Sequence, residues 1–363
     1  MPQPAPRTTA AAAPARPRRR VQWVDAAKGL CIVLVVIGHA ITELANHGYA
    51  TGIWAQVNFI LGPVRMPLFF LASGLFAAKA LSESWPRLAD RRIWVMVWLY
   101  VIWVPVREIF HALIPRTRVD EPGILAAPEI ADPLAWPRLA ARMAHAVVEP
   151  TSYLWFLYAL AMFAVASKAT AKVHPGIQIA AAAALNVLAP FAPVSWSWNF
   201  MTQMYVFYLI GMYAAPWIFA MVARRNPLVP AAAVALYAAG AGWILATHDT
   251  FNEGNTGLLR FALSLVGVTA AVNLIAMAEG TPLIEPFRRL GARTLPVFLM
   301  HIPLMAAIVF LANLVLPADP GLPGQPVLLA LAGIAACLGV HRLLMAHGGR
   351  WLFARPERLR HAG

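Results

Sequence analysis

Long apolar runs separated by short polar segments fill the sequence from residue 29 to residue 346. A helix needs about 20 mostly apolar residues to cross the hydrocarbon core of a bilayer. The breaks between the runs contain the prolines and glycines typical of loops. The predicted spans are residues 29–46, 58–80, 93–114, 152–171, 176–193, 202–222, 228–247, 257–278, 294–316 and 325–346. The pattern therefore predicts an all-α, polytopic membrane protein with about ten transmembrane helices.

Composition favours a membrane protein over a soluble one. Of the 363 residues, 60% are hydrophobic and 12% are charged, whereas about 25% of the residues in a soluble domain are charged. The formal net charge of +13 also occurs in nucleic-acid-binding proteins. Here, however, the basic residues flank long apolar runs, as cytoplasmic loop charges do. We therefore expect membrane lipids as partners and no nucleic acid.

The basic residues also predict an orientation, because Lys and Arg collect in short cytoplasmic loops. If the N-terminus is inside, the inner segments are basic, and the outer loops at residues 195–201, 248–256 and 317–324 contain no Lys or Arg. The outer loop at residues 115–150 is mixed in charge and departs mildly from this pattern. The pattern predicts that both termini are cytoplasmic and that the protein crosses the membrane several times.

The chain divides into three predicted units. Residues 1–20 are rich in Ala, Pro and Arg, which predicts a disordered basic tail. Residues 21–346 form the transmembrane domain, and residues 347–363 form a basic cytoplasmic tail. No small-residue cleavage site follows the first apolar run, so we interpret this run as an uncleaved helix and not as a signal peptide.

Four ionisable residues lie in or beside the first apolar segment: Asp25, Lys28, His39 and Glu43. At 100° per residue they share one narrow face of a helix. Asp25 and Lys28 fit an interfacial ion pair, and His39 fits a hydrogen bond to another helix. An ionisable residue inside a membrane is also a functional hypothesis by default, and a neutral imidazole can accept a hydroxyl proton as a general base. Glu43 either orients His39 or is an exposed loop carboxylate.

The run that contains Asp25, Lys28, Gly29, Gly38 and His39 resembles the opening helix of the acyltransferase-3 family. Members of this family are integral membrane O-acyltransferases, marked by a basic residue with ten residues between it and a His. Lys28 and His39 have that spacing. Many members have Arg where this chain has Lys28, a change that keeps the charge but loses the planar fork for phosphate.

Three further segments resemble the family in its order along the chain. They are MPLFFLASGLF at residues 66–76, YLWFL at residues 153–157 and FLMHIPL at residues 298–304. The Met-Pro start of the first of them resembles the branch that acts on glycans and small sugars. Together with the opening helix, the resemblance covers about residues 21–346.

The resemblance implies a multi-pass enzyme of the O-acetyltransferase type in the bacterial inner (cytoplasmic) membrane. Such enzymes move an acyl group, usually acetyl, from cytoplasmic acyl-CoA to a hydroxyl of an extracytoplasmic or lipid-linked saccharide. Acyl-CoA is then a co-substrate, the carbohydrate is the acceptor, and no covalently bound cofactor is expected. Lys28 would meet the anionic head of CoA, and His39, about 16 Å further along the helix, would meet the thioester and the hydroxyl. An acyl-histidine intermediate is the alternative route.

The remaining candidate residues each have two interpretations. His301 is either a second catalytic or CoA-contacting residue, or a hydrogen-bond partner between helices. Arg65, near the outer end of its span, either binds an anionic or polar acceptor or extends toward the interface, and Arg260 is similar. Ser73 is a possible polar contact in the pore, next to a predicted close-packing point. Trp155 either walls the substrate channel or anchors the interface.

The rival hypothesis is a proton-coupled transporter or flippase of a sugar-type solute, in which His39 and Asp25 relay protons. Such proteins often have repeated halves, and we find no internal repeat in this sequence. The motifs of metalloproteases, ATPases and serine hydrolases are absent, and no metal site is expected. The identity of the sugar, the acyl chain and the oligomeric state are not encoded in these patterns.

Overall fold

The computed structural model describes residues 21–114, 136–150, 152–247, 257–315 and 321–359. The predicted tail at residues 1–20 and most of the predicted loop at residues 115–150 lie outside the described residues. Within the described ranges all regular structure is helical, which confirms the predicted all-α class. The longer helices are α1 (Gln22–Asn46), α2 (Trp54–Gly74), α3 (Trp94–Leu113), α4 (Trp136–Val148), α5 (Trp155–Ala169), α6 (Pro175–Leu188), α7 (Trp196–Tyr213), α8 (Ala215–Ala223), α9 (Leu228–Thr247), α10 (Leu258–Met277), α11 (Glu285–Gly291), α12 (Thr294–Val315) and α13 (Gln325–Ala346).

The lengths of the helices bear on the predicted number of spans. Each of the ten predicted segments contains a helix. Among the described residues, however, seven helices are long and apolar enough to cross a membrane, or up to eight if a bent pair is one span. Helices α5 and α6 have only 15 and 14 residues, fewer than the roughly 17 that a spanning helix needs. The predicted count of about ten is therefore not confirmed.

The segment predicted as one span at residues 202–222 is broken. Helix α7 ends at Tyr213, and α8 begins at Ala215 with its axis turned by 70°. Pro216 lies in the first turn of α8, and its ring nitrogen has no hydrogen to donate to the preceding turn. The bend leaves the prediction of a span here open, because apolar character predicts that a segment lies in lipid and says nothing about where its helix breaks.

Helix α1 lies at the centre of the bundle, where it packs against α2, α10, α11, α12 and α13. Its crossing with α11 is close because glycines stand at the contact. A β-carbon on Gly29 would overlap the carbonyl oxygen of Phe287, and one on Gly291 would overlap the carbonyl oxygen of Asp25. Small residues allow helix backbones to approach in this way. The crossing fixes the start of α1, the helix that carries the predicted polar stripe.

Basic segments that are distant in the sequence meet at one end of the bundle. Lys168, at the end of α5, donates to the carbonyl oxygen of Glu83 at 2.7 Å. Arg355, after α13, forms an ion pair with Asp90 at 2.7 Å. We call this end, where α1 begins, the basic end.

The loops at the opposite end contain polar contacts of a different kind. The amide of Gln325 donates to the carbonyl oxygen of Ala50 at 2.8 Å, and the hydroxyl of Tyr49 donates to the side chain of Asn313. The end of α1, the end of α12 and the start of α13 therefore lie together. The membrane side that each of these two ends faces stays a prediction.

The described part of the predicted C-terminal tail, residues 347–359, packs against α3. The indole nitrogen of Trp98 donates to the carbonyl oxygen of Trp351, and that of Trp103 donates to the carbonyl oxygen of Leu352, both at 2.8 Å. The Phe353 side chain is buried, with its ring centroid 5.8 Å from that of Trp103. This segment therefore extends the helical bundle beyond residue 346.

Candidate active site

His39 and His301 lie side by side inside the bundle. Their ring centroids are 5.1 Å apart and their ring planes are tilted by 49°. His39 on α1 is half-buried, and His301 on α12 is fully buried. The ring of Tyr153 lies 5.0 Å from that of His301. Two imidazoles from opposite ends of the sequence are thus brought to one point.

Backbone hydrogen bonds orient the ring of His301. Its Nδ1 lies 3.0 Å from the carbonyl oxygen of Val297 and 2.9 Å from that of Phe298. Because carbonyl oxygens only accept hydrogen bonds, Nδ1 carries a hydrogen and donates it. In the neutral ring the other nitrogen, Nε2, is then the one that can accept a proton.

A narrow cavity of about 30 Å³ lies beside His39. We call it the reaction cavity. It is lined almost entirely by apolar and aromatic side chains: Ile32, Val35, His39, Met66, Phe69, Tyr153, Trp155, Phe156 and Phe298. A volume of this size holds about two water molecules. The surroundings of His39 therefore contain little solvent.

A larger recess of about 280 Å³ contains two cationic side chains, Lys28 and Arg92. We call it the basic recess. Its lining consists of Lys28, Ser73, Phe76, Arg92, Met96, Leu160, Ala164 and Tyr208. Lys28 Nζ lies 6.0 Å from the centroid of the Phe76 ring, and Arg92 donates to the carbonyl oxygen of Phe76 at 3.1 Å. Two cations beside a space of this size suit an anionic ligand.

The basic recess and the reaction cavity follow the same faces of three helices. On α1 the recess contains position 28 and the cavity contains positions 32, 35 and 39. On α2 the recess has position 73 and the cavity has positions 66 and 69, and Phe76 joins the recess from the turn that follows α2. On α5 the recess has positions 160 and 164, and the cavity has positions 155 and 156. Spacings of three and four residues keep side chains on one face of a helix. From Lys28 to His39 the rise is about 16 Å.

Ser73 lines the basic recess, with its hydroxyl donating to the carbonyl oxygen of Phe69 at 2.9 Å. The next residue, Gly74, is a point of close helix contact. A β-carbon there would overlap the carbonyl oxygen of Tyr208 on α7. The predicted packing point is thus confirmed at Gly74, and it brings α7 alongside the recess.

Arg65 on α2 packs against the backbone of α1 at Gly38. A β-carbon on Gly38 would overlap its guanidinium group, so Arg65 rests on α1 one residue before His39. Its Nη1 donates to the side-chain oxygen of Asn58. The missing side chain at Gly38 is what makes room for this arginine.

Trp155 begins a row of aromatic rings that leads away from the reaction cavity. Its ring centroid is 5.1 Å from that of Phe200, and Phe200 stacks on Trp196 at 5.0 Å with the planes 14° apart. The guanidinium carbon of Arg260 lies 5.7 Å from the centroid of the Phe200 ring. We call Trp155, Phe200 and Trp196 the aromatic wall. It connects the cavity at His39 with Arg260.

Glu43 and Asp25 lie at the two ends of the polar stripe on α1. Glu43 is buried, and its Oε1 lies 3.6 Å from Nδ1 of His47. Asp25 lies at the α1–α11 crossing, where Arg288 interacts with it electrostatically. The structure thus gives Glu43 a contact with a second histidine and gives Asp25 a place at a helix crossing.

A charge cluster on α11 lies beside this crossing. The Arg288 guanidinium, and then that of Arg289, hydrogen-bond to Glu285 and lower the pKa of its carboxyl to about 2. The same contact raises the pKa of Arg288. Arg289 is exposed and the other two side chains are partly exposed, so solvent screens the cluster.

Sequence reasoning did not select Arg92, Tyr153, Tyr208 or Phe200. Tyr153 begins the YLWFL segment, and Arg92 stands in a basic loop segment, so both had a weak signal. Arg92 reaches the recess from a π-helical turn at Ala89–Ile93, and such turns are common at functional sites. Tyr208 and Phe200 lie in an ordinary apolar run, and only the packing of α7 brings them to the site.

Residues 21–342 match the family model described as an acyltransferase domain, that of the acyltransferase-3 family. The chain belongs to this family. It is also similar to the inner membrane protein YcfT of Escherichia coli (strain K12), with 24% identity over 301 residues that cover 78% of this chain and 79% of YcfT. No solved structure matches the chain significantly.

Membership of the acyltransferase-3 family makes the chain a membrane acyltransferase, as the four sequence resemblances predicted. The long apolar helices agree with a protein that crosses the membrane several times. The predicted location in the inner membrane agrees with that of YcfT, which is an inner membrane protein. The match also includes the helices that line the basic recess and the reaction cavity.

Proposed function

We propose that this acyltransferase moves an acyl group, typically acetyl, from acyl-CoA at the basic end to a hydroxyl of a saccharide that enters from the opposite end. The single observation that carries the proposal is the position of His39. His39 borders a narrow apolar cavity. Three of the helices that line this cavity also line a cationic recess, and Lys28 in that recess is about 16 Å from His39 along α1. The acceptor is an extracytoplasmic or lipid-linked carbohydrate, and the basic end faces the cytoplasm.

The basic recess supports acyl-CoA as the donor. CoA carries phosphate groups at one end of a long flexible arm and the thioester at the other. Lys28 and Arg92 provide two cations for the phosphates, and Ser73 provides a polar group beside them. The rise of about 16 Å along α1 separates these charges from His39. An extended donor arm can therefore have its charged end in the recess and its thioester at the imidazole.

The chemistry at His39 is general-base catalysis. The imidazole accepts the proton of the acceptor hydroxyl, the hydroxyl oxygen forms a bond to the thioester carbonyl carbon, and the carbon–sulfur bond breaks. The imidazolium then returns the proton to the thiolate sulfur, which gives free CoA. No proton is gained or lost overall. His301 lies beside His39 and is proposed to position it, and Glu43 places a buried carboxyl group one helical turn away.

The small volume of the reaction cavity supports transfer over hydrolysis. A thioester next to a general base would react with water if water were plentiful. The aromatic lining leaves room for about two water molecules. The acceptor hydroxyl therefore competes with few water molecules for the acyl group.

The aromatic wall supports a saccharide as the acceptor. Aromatic rings offer flat apolar surfaces for the faces of a sugar ring, while a few polar groups fix its orientation. Trp155 belongs both to the wall and to the lining of the reaction cavity. A sugar that stacks on the wall would present a hydroxyl to the cavity.

The proposal is tested with purified protein in vesicles that contain lipid-linked saccharides extracted from cells lacking this chain. Labelled acetyl-CoA is added, and ester-linked label in the saccharide fraction is measured. We expect His39→Ala to lower incorporation by at least about 100-fold, the range of general-base catalysis. The exposed His347 gives the matched control, and His347→Ala should transfer normally.

Normal incorporation by a well-folded His39→Ala variant would contradict the proposal. Proton-coupled movement of a sugar into the vesicles without acyl-CoA would instead support the transporter hypothesis. Protein levels and thermal unfolding in detergent establish that the variants fold.

A further inference from the structure

Arg65 presents a positive charge beside the reaction cavity. It rests on Gly38, immediately before His39, and it is half-buried. Its hydrogen-bond acceptor among the described residues is Asn58, a neutral amide. A charge inside a membrane protein costs several kcal/mol unless other groups compensate it. A neutral amide compensates only part of that cost.

A second cation, Arg260 on α10, lies near the first. It is close enough to Arg65 for the two positive charges to repel each other. Its guanidinium group also lies over the ring of Phe200. Two arginines are therefore held on the same side of the bundle, although like charges are unfavourable neighbours in a medium of low dielectric constant.

The aromatic wall joins these arginines to the point of chemistry. Arg260 lies over Phe200, Phe200 contacts Trp155, and Trp155 lines the cavity at His39. Arg65 approaches the same histidine from the side of α2 through Gly38. A sugar that lies along the wall with one hydroxyl at His39 would thus have a guanidinium group near each side.

We propose that Arg65 and Arg260 bind an oxyanion of the acceptor, a carboxylate or a phosphate located about one sugar unit from the hydroxyl that is acylated. The inference rests on the proposed function, and it adds the chemical class of the substrate. Guanidinium groups bind carboxylates and phosphates through paired, charge-assisted hydrogen bonds. An oxyanion offers acceptor oxygens of opposite charge to both guanidinium groups, and a neutral sugar does not.

The experiment uses the same vesicles and labelled acetyl-CoA. The saccharide that takes up label with the wild-type protein, and not with His39→Ala, is released from its lipid by mild acid and applied to an anion-exchange column. We expect the labelled product to be retained. Phosphatase treatment distinguishes the two sources of charge, because it removes a phosphate monoester and leaves a carboxylate unchanged.

Variants test the two arginines directly. Arg65→Gln and Arg260→Gln should each raise the acceptor concentration for half-maximal transfer by about tenfold, while the KM for acetyl-CoA stays unchanged. Arg65→Lys keeps the charge and should raise the acceptor concentration for half-maximal transfer by less than Arg65→Gln does. Arg224, which is exposed beyond α8, supplies the matched control, and Arg224→Gln should leave both concentrations unchanged.

A labelled product that passes through the column as a neutral sugar would overturn the inference while leaving acyl transfer established. An unchanged acceptor requirement in both glutamine variants would also overturn it. If no labelled product depends on His39, the proposed acyl transfer to a saccharide is contradicted, and the inference of an anionic acceptor is contradicted with it.

Discussion

Helices α1, α2 and α5 contribute to the lining of both the basic recess and the reaction cavity, yet the volumes of the two spaces are about 280 Å³ and 30 Å³. The difference follows from the side chains along each face. In the recess α2 and α5 present the small residues Ser73 and Ala164, whereas in the cavity they present Phe69 and Phe156. The same helices thus line a wider cationic recess and a narrow aromatic cavity, because the volume of the side chains changes along the face of each helix.

The largest expected effect concerns the histidine pair in the reaction cavity. His301→Gln removes the ring that lies beside His39, while the amide can still bond to the backbone of α12. We expect kcat to fall by about 100-fold with the KM for acetyl-CoA unchanged, because the basic recess is untouched. Steady-state transfer in vesicles measures both quantities.

The control for this variant is His347→Gln, at an exposed site. A kcat close to that of the wild type in His301→Gln would mean that the second imidazole only packs between helices. His39 would then be the one histidine of the pair that takes part in catalysis.

The next effect is expected in the basic recess. Lys28→Gln and Arg92→Gln each remove one cation that faces the donor, and we expect the KM for acetyl-CoA to rise by about tenfold, or about 1.4 kcal/mol of binding free energy. The value of kcat should change by less than about twofold, since the reacting atoms lie about 16 Å away. Donor titrations at saturating acceptor give the two constants.

Arg91 provides a matched control, because it is exposed and pairs with Glu83. Arg91→Gln should leave the donor KM unchanged. A fall in kcat without a change in KM for Lys28→Gln or Arg92→Gln would contradict the separation of the two sites.

A smaller effect tests the dryness of the reaction cavity. Phe156 packs against Phe69 with ring centroids 4.8 Å apart and lines the cavity. Phe156→Leu enlarges the cavity, so more water reaches the thioester. We expect the ratio of acetyl-CoA hydrolysis to transfer to rise by about threefold, measured from free CoA and from esterified label.

Phe163→Leu is the control, since Phe163 belongs to the same aromatic cluster, with its ring 5.2 Å from that of Phe70, and lies outside the cavity lining. Its ratio should equal that of the wild type. Equal ratios in the two variants would show that cavity volume does not limit the access of water.

The smallest effect is expected outside both spaces, at Glu285 on α11. Arg288 and Arg289 lower the pKa of this carboxyl below its unfolded value of about 4.3. The stabilisation is therefore complete above about pH 5 and is lost as the pH falls through about 2. Glu285→Gln should lower the Tm in detergent by only a degree or two at pH 7, and the difference should shrink below pH 4.

Transfer kinetics should be the same in Glu285→Gln and in the wild type at neutral pH, because the residue lies outside the recess lining. A Tm difference that stays constant down to pH 3 would mean that the carboxyl charge does not stabilise α11. A changed KM for acetyl-CoA would mean that the donor-binding surface extends beyond the basic recess to α11.

Sequence patterns located the helices and part of the site. The spacing of Lys28 and His39 placed both on one face of α1, because helical periodicity is a local property. The motif segments contain Ser73 and Trp155, which line the two spaces, and His301, which lies beside His39, while the roles of these residues stay predictions. The patterns do not show where a helix bends or ends early, as the bend at Pro216 and the short helices α5 and α6 show, and the count of about ten spans stays a prediction.

Other features depend on which helix meets which. Arg65 appeared to belong near an outer end, and its place beside His39 follows from the crossing of α1 and α2 at Gly38. The residues after α13 read as a basic tail, and their packing requires the indole groups of α3. No local pattern contains such contacts, because the two partners are far apart in the chain.

By itself, the sequence determined that the chain lies largely in a lipid bilayer, that it is helical and that α1 has a polar stripe. Hydrophobicity and the 3.6-residue period are local properties that a few helical turns are enough to define. Only the tertiary structure decided that His301 lies beside His39 and that small and large side chains divide one groove into a recess and a cavity. Distances between helices depend on how all their surfaces fit at once, and the residues that set them are scattered along the whole chain.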